Sequence, residues 1–269
     1  MKRVVIVTGT SSGLGRAFAI ALTRAGFVVV GTVRKEEAVA EVEAIQPGSS
    51  FARILDVTNE PARLFEAVEE VERNIGPVYA LINNAGYGHE GTLEESSMEE
   101  LRQQFEVSVF GAVAMMKAVL PHMRKRREGR ILNVTSMGGL MTMPGLSYYH
   151  GSKFAMEGIS SSLAKEVSPL GISVTAVEPG MFRTDWAGRS MVRTERLIAD
   201  YDVIFDPIRE ARKARSGQQQ GDPAKAGKVI ADFLTTPNPP LHLLLGPDAA
   251  NHVSKRWTRS TPSSLIGRR

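Results

Sequence analysis

KRVVIVTGTSSGLG, residues 2–15, is a β-branched run that passes through three glycines into a helical pattern. Val4 to Val7 are consecutively apolar, which suits a strand buried on both faces, since a half-exposed strand alternates polar and apolar residues. Gly9, Gly13 and Gly15 then allow a tight turn, and apolar positions recur at helical spacing from Leu14 to Ala25. Such a turn brings backbone N–H groups to a helix N-terminus, where a phosphate is stabilised. The spacing is GxxxGxG rather than the commoner GxGxxG. Taken alone, the stretch also fits a turn whose small residues serve only packing.

The same alternation repeats along the chain. FVVVGTV (27–33), FARILDV (51–57), VYALINN (78–84), RILNVTS (130–136), ISVTAVEPG (172–180) and LHLLLG (241–246) are further strand-like runs, and helical segments separate them. Near-continuous apolar strands alternating with helices predict an α/β fold: a doubly wound, Rossmann-like parallel sheet of about seven strands with helices on both faces. No linker divides residues 1–269, so one domain is expected. Residues 181–221 break the rhythm. They show no clear strand and mix Met181, Phe182, Trp186, Met191 and Phe205 with many charges, as a substrate lid or a packing surface would. Residues 247–269 form a polar, basic tail, expected to fray or to pack on a partner.

Composition narrows the function classes. The chain has no cysteine, which excludes disulfides, thiolate nucleophiles and Cys–metal sites. Its five histidines show no metal-ligand spacing, and no metal is expected. No uninterrupted apolar run has the length of a membrane span, and the first residues do not form a signal peptide, so a cytoplasmic protein is expected. The net charge of +4 is small, and its densest run, Arg124 to Arg127, follows an apolar helical stretch where cations complement the helix dipole. Neither a nucleic-acid nor a membrane partner is implied.

In SYYHGSK (147–153) two tyrosines precede a lysine. On a helix Tyr149, four before Lys153, shares its face, whereas Tyr148, five before it, does not. His150 points off that face and is expected to be structural. His89, after NNAGYG, lies where a substrate contact could fall.

The glycine turn, Asn83-Asn84-Ala85-Gly86, Ser136 thirteen residues before Tyr149, the YxxxK of Tyr149 and Lys153, and Pro179-Gly180 together resemble the short-chain dehydrogenase/reductase family in its single-domain branch. EPGMFRTDW (178–186) and PLHLLLGPDA (240–249) resemble its bacterial subgroup related to retinol and 17β-hydroxysteroid dehydrogenases. The resemblance implies an oxidoreductase interconverting a carbonyl compound and its alcohol by hydride transfer. Tyr149 would be the acid/base, Lys153 would favour its phenolate, and Ser136 would hold the substrate oxygen. Gly9, Ser12, Gly13 and Leu14 would form the cofactor turn, Asp56 and Val57 would meet the adenine, and Asn83, Ala85 and Gly86 would line the cleft. Pro179, Met181 and Thr184 would touch the nicotinamide side, with Tyr149 and Lys153 also contacting the cofactor. Val33 stands where NAD-dependent relatives carry Asp, and Arg34 with Lys35 follows, so NADP(H) is expected over NAD(H). Ser108 departs from the family pattern, which usually has Asn there in support of a water linked to the lysine; a second water is expected to fill the gap. The apolar residues of 181–221, with Met141 and Met143, suggest a bulky, apolar substrate. A homodimer or homotetramer is also implied, paired through helices near 98–127 and 148–168. The rival function is an NADP-binding sensor without turnover.

Overall fold

A computed structural model describes the backbone of residues 3–259 and the side chains as far as Val253. The first half holds β1 (Val4–Val7), α1 (Gly13–Arg24), β2 (Val28–Val33), α2 (Val39–Glu43), β3 (Ser50–Ile54), α3 (Pro61–Asn74) and β4 (Val78–Asn83). Then come β5 (Gly88–Glu90), α4 (Met98–Phe105), α5 (Gly111–Arg126), β6 (Gly129–Val134), α6 (Ser147–Val167) and β7 (Ile172–Pro179). The remainder is β8 (Met191–Arg193), α7 (Asp202–Ala214), α8 (Pro223–Phe233), β9 (His242–Leu245) and α9 (Pro247–Arg259).

Seven strands form one parallel sheet in the order β3-β2-β1-β4-β6-β7-β9. The chain winds outward from β1 to β3, crosses back, and winds outward again from β4. The strand order therefore reverses between β1 and β4, which opens a crevice at their carboxyl ends. Alternate residues of each strand serve opposite faces. Val4, Ile6 and Leu81 join the core under α3, α5 and α6, whereas Val5, Val7 and Ile82 pack with Phe18, Leu22 and Ile230 of α1 and α8. Burial on both sides explains the unbroken apolar runs.

α4 and α5 are joined by a π-helical turn over Glu106–Phe110. Residues 98–126 thus form one helical stretch long and apolar enough to cross a membrane by length and composition. It instead lies along the sheet, with Met115, Met116, Val119 and Met123 buried in the core.

Two expectations need correction. Residues 181–221 do contain a strand, β8, which pairs in parallel with β5 in a separate two-stranded sheet, and they contain the helix α7. A strand of three residues is too short to show period-two patterning, so it leaves no local signal. The tail begins not as a frayed segment but as α9, whose Ala249 and Val253 are buried against the chain itself. Residues 260–269 of that tail lie outside the described residues.

Candidate active site

The glycine turn is held at the crevice by its neighbours. Gly9 and Gly13 adopt φ of +72° and +58°, a region that side chains disfavour. A Cβ on Gly15 would lie 2.2 Å from the Gly9 carbonyl oxygen, so α1 could not approach the turn with any larger residue. Asn84 donates to the carbonyls of Thr8 and Gly9 at 2.9 and 3.1 Å, and the Thr8 hydroxyl accepts from the N–H groups of Asn84 and Ala85. The ends of β1 and β4 are thereby tied together. Ser12, the N-cap of α1, makes no side-chain capping bond, and the first turn of α1 carries no acid. The positive end of this helix is left free to meet an anion.

A cavity of about 1210 Å³ runs along the crevice. That exceeds the roughly 300–1,000 Å³ typical of a single small-ligand pocket and leaves room for a dinucleotide with a second molecule. Gly9, Ser12, Gly13, Leu14, Ala85 and Gly86 form its wall at the switch point. Arg34, Asp56 and Val57 line it beyond β2 and β3, and Pro179, Met181 and Thr184 line it beyond β7. Val33 is buried, whereas Arg34 and Lys35 are exposed, border the cavity and form no ion pair among the described residues. Gly111 sets α5 against the turn after β3: a Cβ there would lie 2.7 Å from the Val57 carbonyl oxygen.

Ser136, Tyr149 and Lys153 meet at one wall of this cavity. Tyr149 and Lys153 are one turn apart on α6, both nearly enclosed, with the Lys153 Nζ 5.8 Å from the centre of the tyrosine ring. Lys153 donates to the Val134 carbonyl oxygen at 2.9 Å, which fixes its ammonium at the end of β6. Ser136 caps a short 3-10 turn by accepting from the Gly138 N–H, and its hydroxyl lies on the Tyr149 phenol's side of the cavity, where it eases the phenol's ionisation. Burial pushes the phenol up to about 12 and the lysine down to about 8. Trp186 packs against the Tyr149 ring with centres 5.1 Å apart. His150 donates from Nδ1 to the Gly138 carbonyl and accepts at Nε2 from the Met143 N–H, a pairing only the neutral ring can make. It is the brace of the 137–146 loop.

Tyr148 turns away from the cavity. Its hydroxyl donates to the Ser96 carbonyl at 2.8 Å, and its ring stacks on His89 at 5.0 Å. His89 is accordingly buried behind Tyr148, beside Thr194 and Glu100, and not in the cleft as the sequence suggested. Asn83 also needs correction: its side chain points into the core, where it donates to Asn133 and the Ala112 carbonyl, and Asn84 is the residue that borders the cavity. A strand's side chains alternate, so adjacent asparagines face opposite ways and a doublet cannot be assigned from sequence. Ser108 is buried in the π turn and accepts from Gln104 at 3.0 Å. It stands behind Gly86 and does not reach the cleft wall.

Sequence reasoning missed a group that fixes α7 over the cavity. The fully buried Glu90 carboxylate of β5 pairs with Arg193 at 3.1 Å, with Arg209 at 3.4 Å and with Arg212. Arg196 joins Asp202 and Asp206 of α7 to Glu95. Through these contacts Pro207, Ile208 and Ala211 become part of the cavity lining. Charges scattered over a hundred positions gave no local signal of the cluster.

A model of the family described as short chain dehydrogenase matches residues 3–193. The oxidoreductase BOA17 of Botryotinia fuckeliana is 36% identical over 95% of this chain and 93% of its own length. A 3-ketodihydrosphingosine reductase of Bacteroides thetaiotaomicron is 38% identical over 91% of this chain and 88% of its own. The crystal structure of a short-chain dehydrogenase from Streptomyces avermitilis superposes with a TM-score of 0.88 at 39% identity, covering 96% of this chain and 93% of that one. The chain belongs to the short-chain dehydrogenase/reductase family, and it is an oxidoreductase with that family's Rossmann-like fold.

Proposed function

We propose that this protein reduces a carbonyl compound to its alcohol with NADPH. The observation that carries this reading is the convergence of Ser136, Tyr149 and Lys153 on a cavity that continues past the glycine turn to Arg34 and Lys35. The turn, the free N-terminus of α1 and those two unpaired cations fit a dinucleotide bearing an extra phosphate: Gly9, Ser12, Gly13 and Leu14 would hold the pyrophosphate, and Arg34 the 2′-phosphate. Asp56, Val57, Ala85 and Gly86 would border the adenosine half, and Pro179, Met181 and Thr184 the nicotinamide half. When bound, NADPH supplies the hydride.

The chain's own residues supply the proton and the orientation. A reduced carbonyl oxygen gains negative charge, and Tyr149 is the buried donor placed to neutralise it. Its high affinity for the proton keeps it protonated at neutral pH, as reduction requires. The Ser136 hydroxyl, on the same cavity wall as that phenol, would donate to the same substrate oxygen. The Lys153 ammonium, fixed by Val134, stabilises the phenolate left after transfer. Ser108 and a neighbouring water would support the lysine from behind Gly86. Trp186, Leu146 and Ile208 give the substrate end apolar walls, which suits a bulky, apolar ketone or aldehyde, and 181–221 would act as its lid. A ketone also agrees with the named activity of the Bacteroides relative. A cytoplasmic homodimer or homotetramer is part of this proposal.

The test is a panel of ketones and aldehydes with NADPH oxidation followed at fixed enzyme concentration. Turnover of at least one apolar carbonyl, lost in Tyr149→Phe, supports the reading. NADPH binding with no turnover across the panel would favour the sensor instead.

A further inference from the structure

Beyond Lys153, α6 presents a third ionisable group on the same face. Tyr149, Lys153 and Glu157 follow one another at intervals of four and so form a file along the helix. Glu178 of β7 comes up against Glu157, and neither carboxylate reaches water: their exposures are 0% for Glu178 and 8% for Glu157. His242, at the start of β9, contacts both. Its Nδ1 lies 2.7 Å from Glu178 Oε1 and 3.6 Å from Glu157 Oε2, while the ring remains part exposed outside the cleft. Both Glu157 oxygens and Glu178 Oε2 lack a hydrogen-bond partner among the described residues. Thr135, just after β6, and Gly139 of the following 3-10 turn bring no charge, and the Thr135 hydroxyl donates to the Val177 carbonyl oxygen. Asp248 of α9 is turned to the Met181 N–H instead. The groups facing one another are therefore Lys153, Glu157, Glu178 and His242.

Two buried carboxylates whose oxygens lie within 4.8 Å of one another cannot both ionise cheaply, so a proton held between them is favoured. We propose that Glu157, Glu178 and His242 form a proton-sharing cluster that exchanges with solvent at His242 and sets the charge on Lys153. Burial holds Glu157 above the ordinary range and Glu178 up at about 7, so the cluster changes protonation near neutrality. The charge on Glu157 in turn opposes the burial that depresses the Lys153 ammonium. The donor atoms lie within 4.8 Å of one another, as at a cation site. The 2.7 Å contact engages Nδ1 of His242 with Glu178, and Lys153 adds positive charge that disfavours a cation. Proton sharing satisfies the cluster without a metal. Glu157 and His242 are on this account positioning residues, acting through the lysine.

The kinetic part of the proposal rests on the reductase reading, so its test has two arms. In the first, pH profiles of kcat for carbonyl reduction are compared among wild type, Glu157→Gln, His242→Gln and the remote control Glu166→Gln. Loss of the anion beside Lys153 should move the alkaline limb of Glu157→Gln to lower pH by about half a unit or more. His242→Gln should move it less, the control not at all, and melting temperatures identify any variant that has not folded. Superimposable limbs in folded variants overturn the link to Lys153. In the second arm, carbon-13 NMR follows the side-chain carboxyls of Glu157 and Glu178 during titration of the whole protein, with no substrate. Titration above the ordinary glutamate range, with Glu157 returning toward it in Glu178→Gln, supports the cluster. Ordinary independent titration, or a stoichiometric metal ion in the purified protein, overturns it. If the wild type reduces no carbonyl, the reductase reading fails while the NMR arm still decides on the cluster.

Discussion

At the scale of single residues, the two adjacent tyrosines separate chemistry from packing. Tyr149→Phe keeps the ring that packs on Trp186 but removes the proton donor, so carbonyl reduction should fall at least about a hundredfold. NADPH affinity, followed by fluorescence titration, should be nearly unchanged. Tyr148→Phe should keep its turnover and instead lose about 1 kcal/mol of stability with its bond to the Ser96 carbonyl. A dead Tyr148→Phe would reverse the assignment. Arg34→Ala should weaken NADPH by roughly tenfold to a hundredfold and leave NADH affinity unaltered, because a charged phosphate contact is worth about 1.5–3 kcal/mol. Equal losses for both cofactors would show that Arg34 does not meet the extra phosphate. Glu178 gives a pH signature. Its carboxyl titrates near 7 in the folded chain against an ordinary 4.5, so the folded state holds the extra proton between those values. Its contribution is fully present below pH 4.5 and is lost as pH rises through about 7. Glu178→Gln should therefore raise stability at pH 8 by on the order of 1–3 kcal/mol relative to wild type, and the gain should vanish near pH 4.5 in denaturant titrations.

Among the elements, α7 is the one whose position depends on charge more than on apolar packing. Phe205 is its buried apolar anchor, whereas Val203 and Ile204 face outward. The rest of its attachment passes through Glu90 and Glu95. Glu90→Ala would leave Arg193, Arg209 and Arg212 without their common carboxylate, a loss of about 3 kcal/mol for a buried pair broken on one side. Limited proteolysis should then cut within 181–221 faster than in wild type, with the seven-stranded sheet still protected. Unchanged cutting would mean that apolar contacts alone hold α7. The contrast with β1 and α1 is instructive. Those elements were legible because a buried run, glycines and a helical period lie within fifteen residues of one another. β5 and β8 are three residues each and recognise one another across about a hundred positions, which no local pattern can encode.

For the whole molecule, the outer faces of the long helices bear on assembly. Phe110 in the π turn and Phe154 on α6 are 57% and 38% exposed, large apolar side chains on the two helices expected to pair. Sedimentation at micromolar concentration should give a dimer or tetramer, and Phe110→Glu should shift it toward a 29.3 kDa monomer. A wild type that is monomeric throughout would remove the expectation.

The sequence by itself determined the parallel sheet, its strand number and the turn that places a helix N-terminus at the crevice. These depend on contiguous runs and fixed spacings, which local sterics and burial translate directly into structure. It also separated Tyr149 from Tyr148, since the helical repeat fixes which one shares a face with Lys153. Tertiary structure alone decided that Asn84 rather than Asn83 borders the cavity, that His89 lies behind Tyr148, and that Ser108 stands back from the cleft. It alone brought Glu157, Glu178 and His242 together, and Glu90 to its three arginines. Such groups are distant in the chain and meet only where strands and helices converge; their energies come from shared burial and charge, which no spacing in the sequence records.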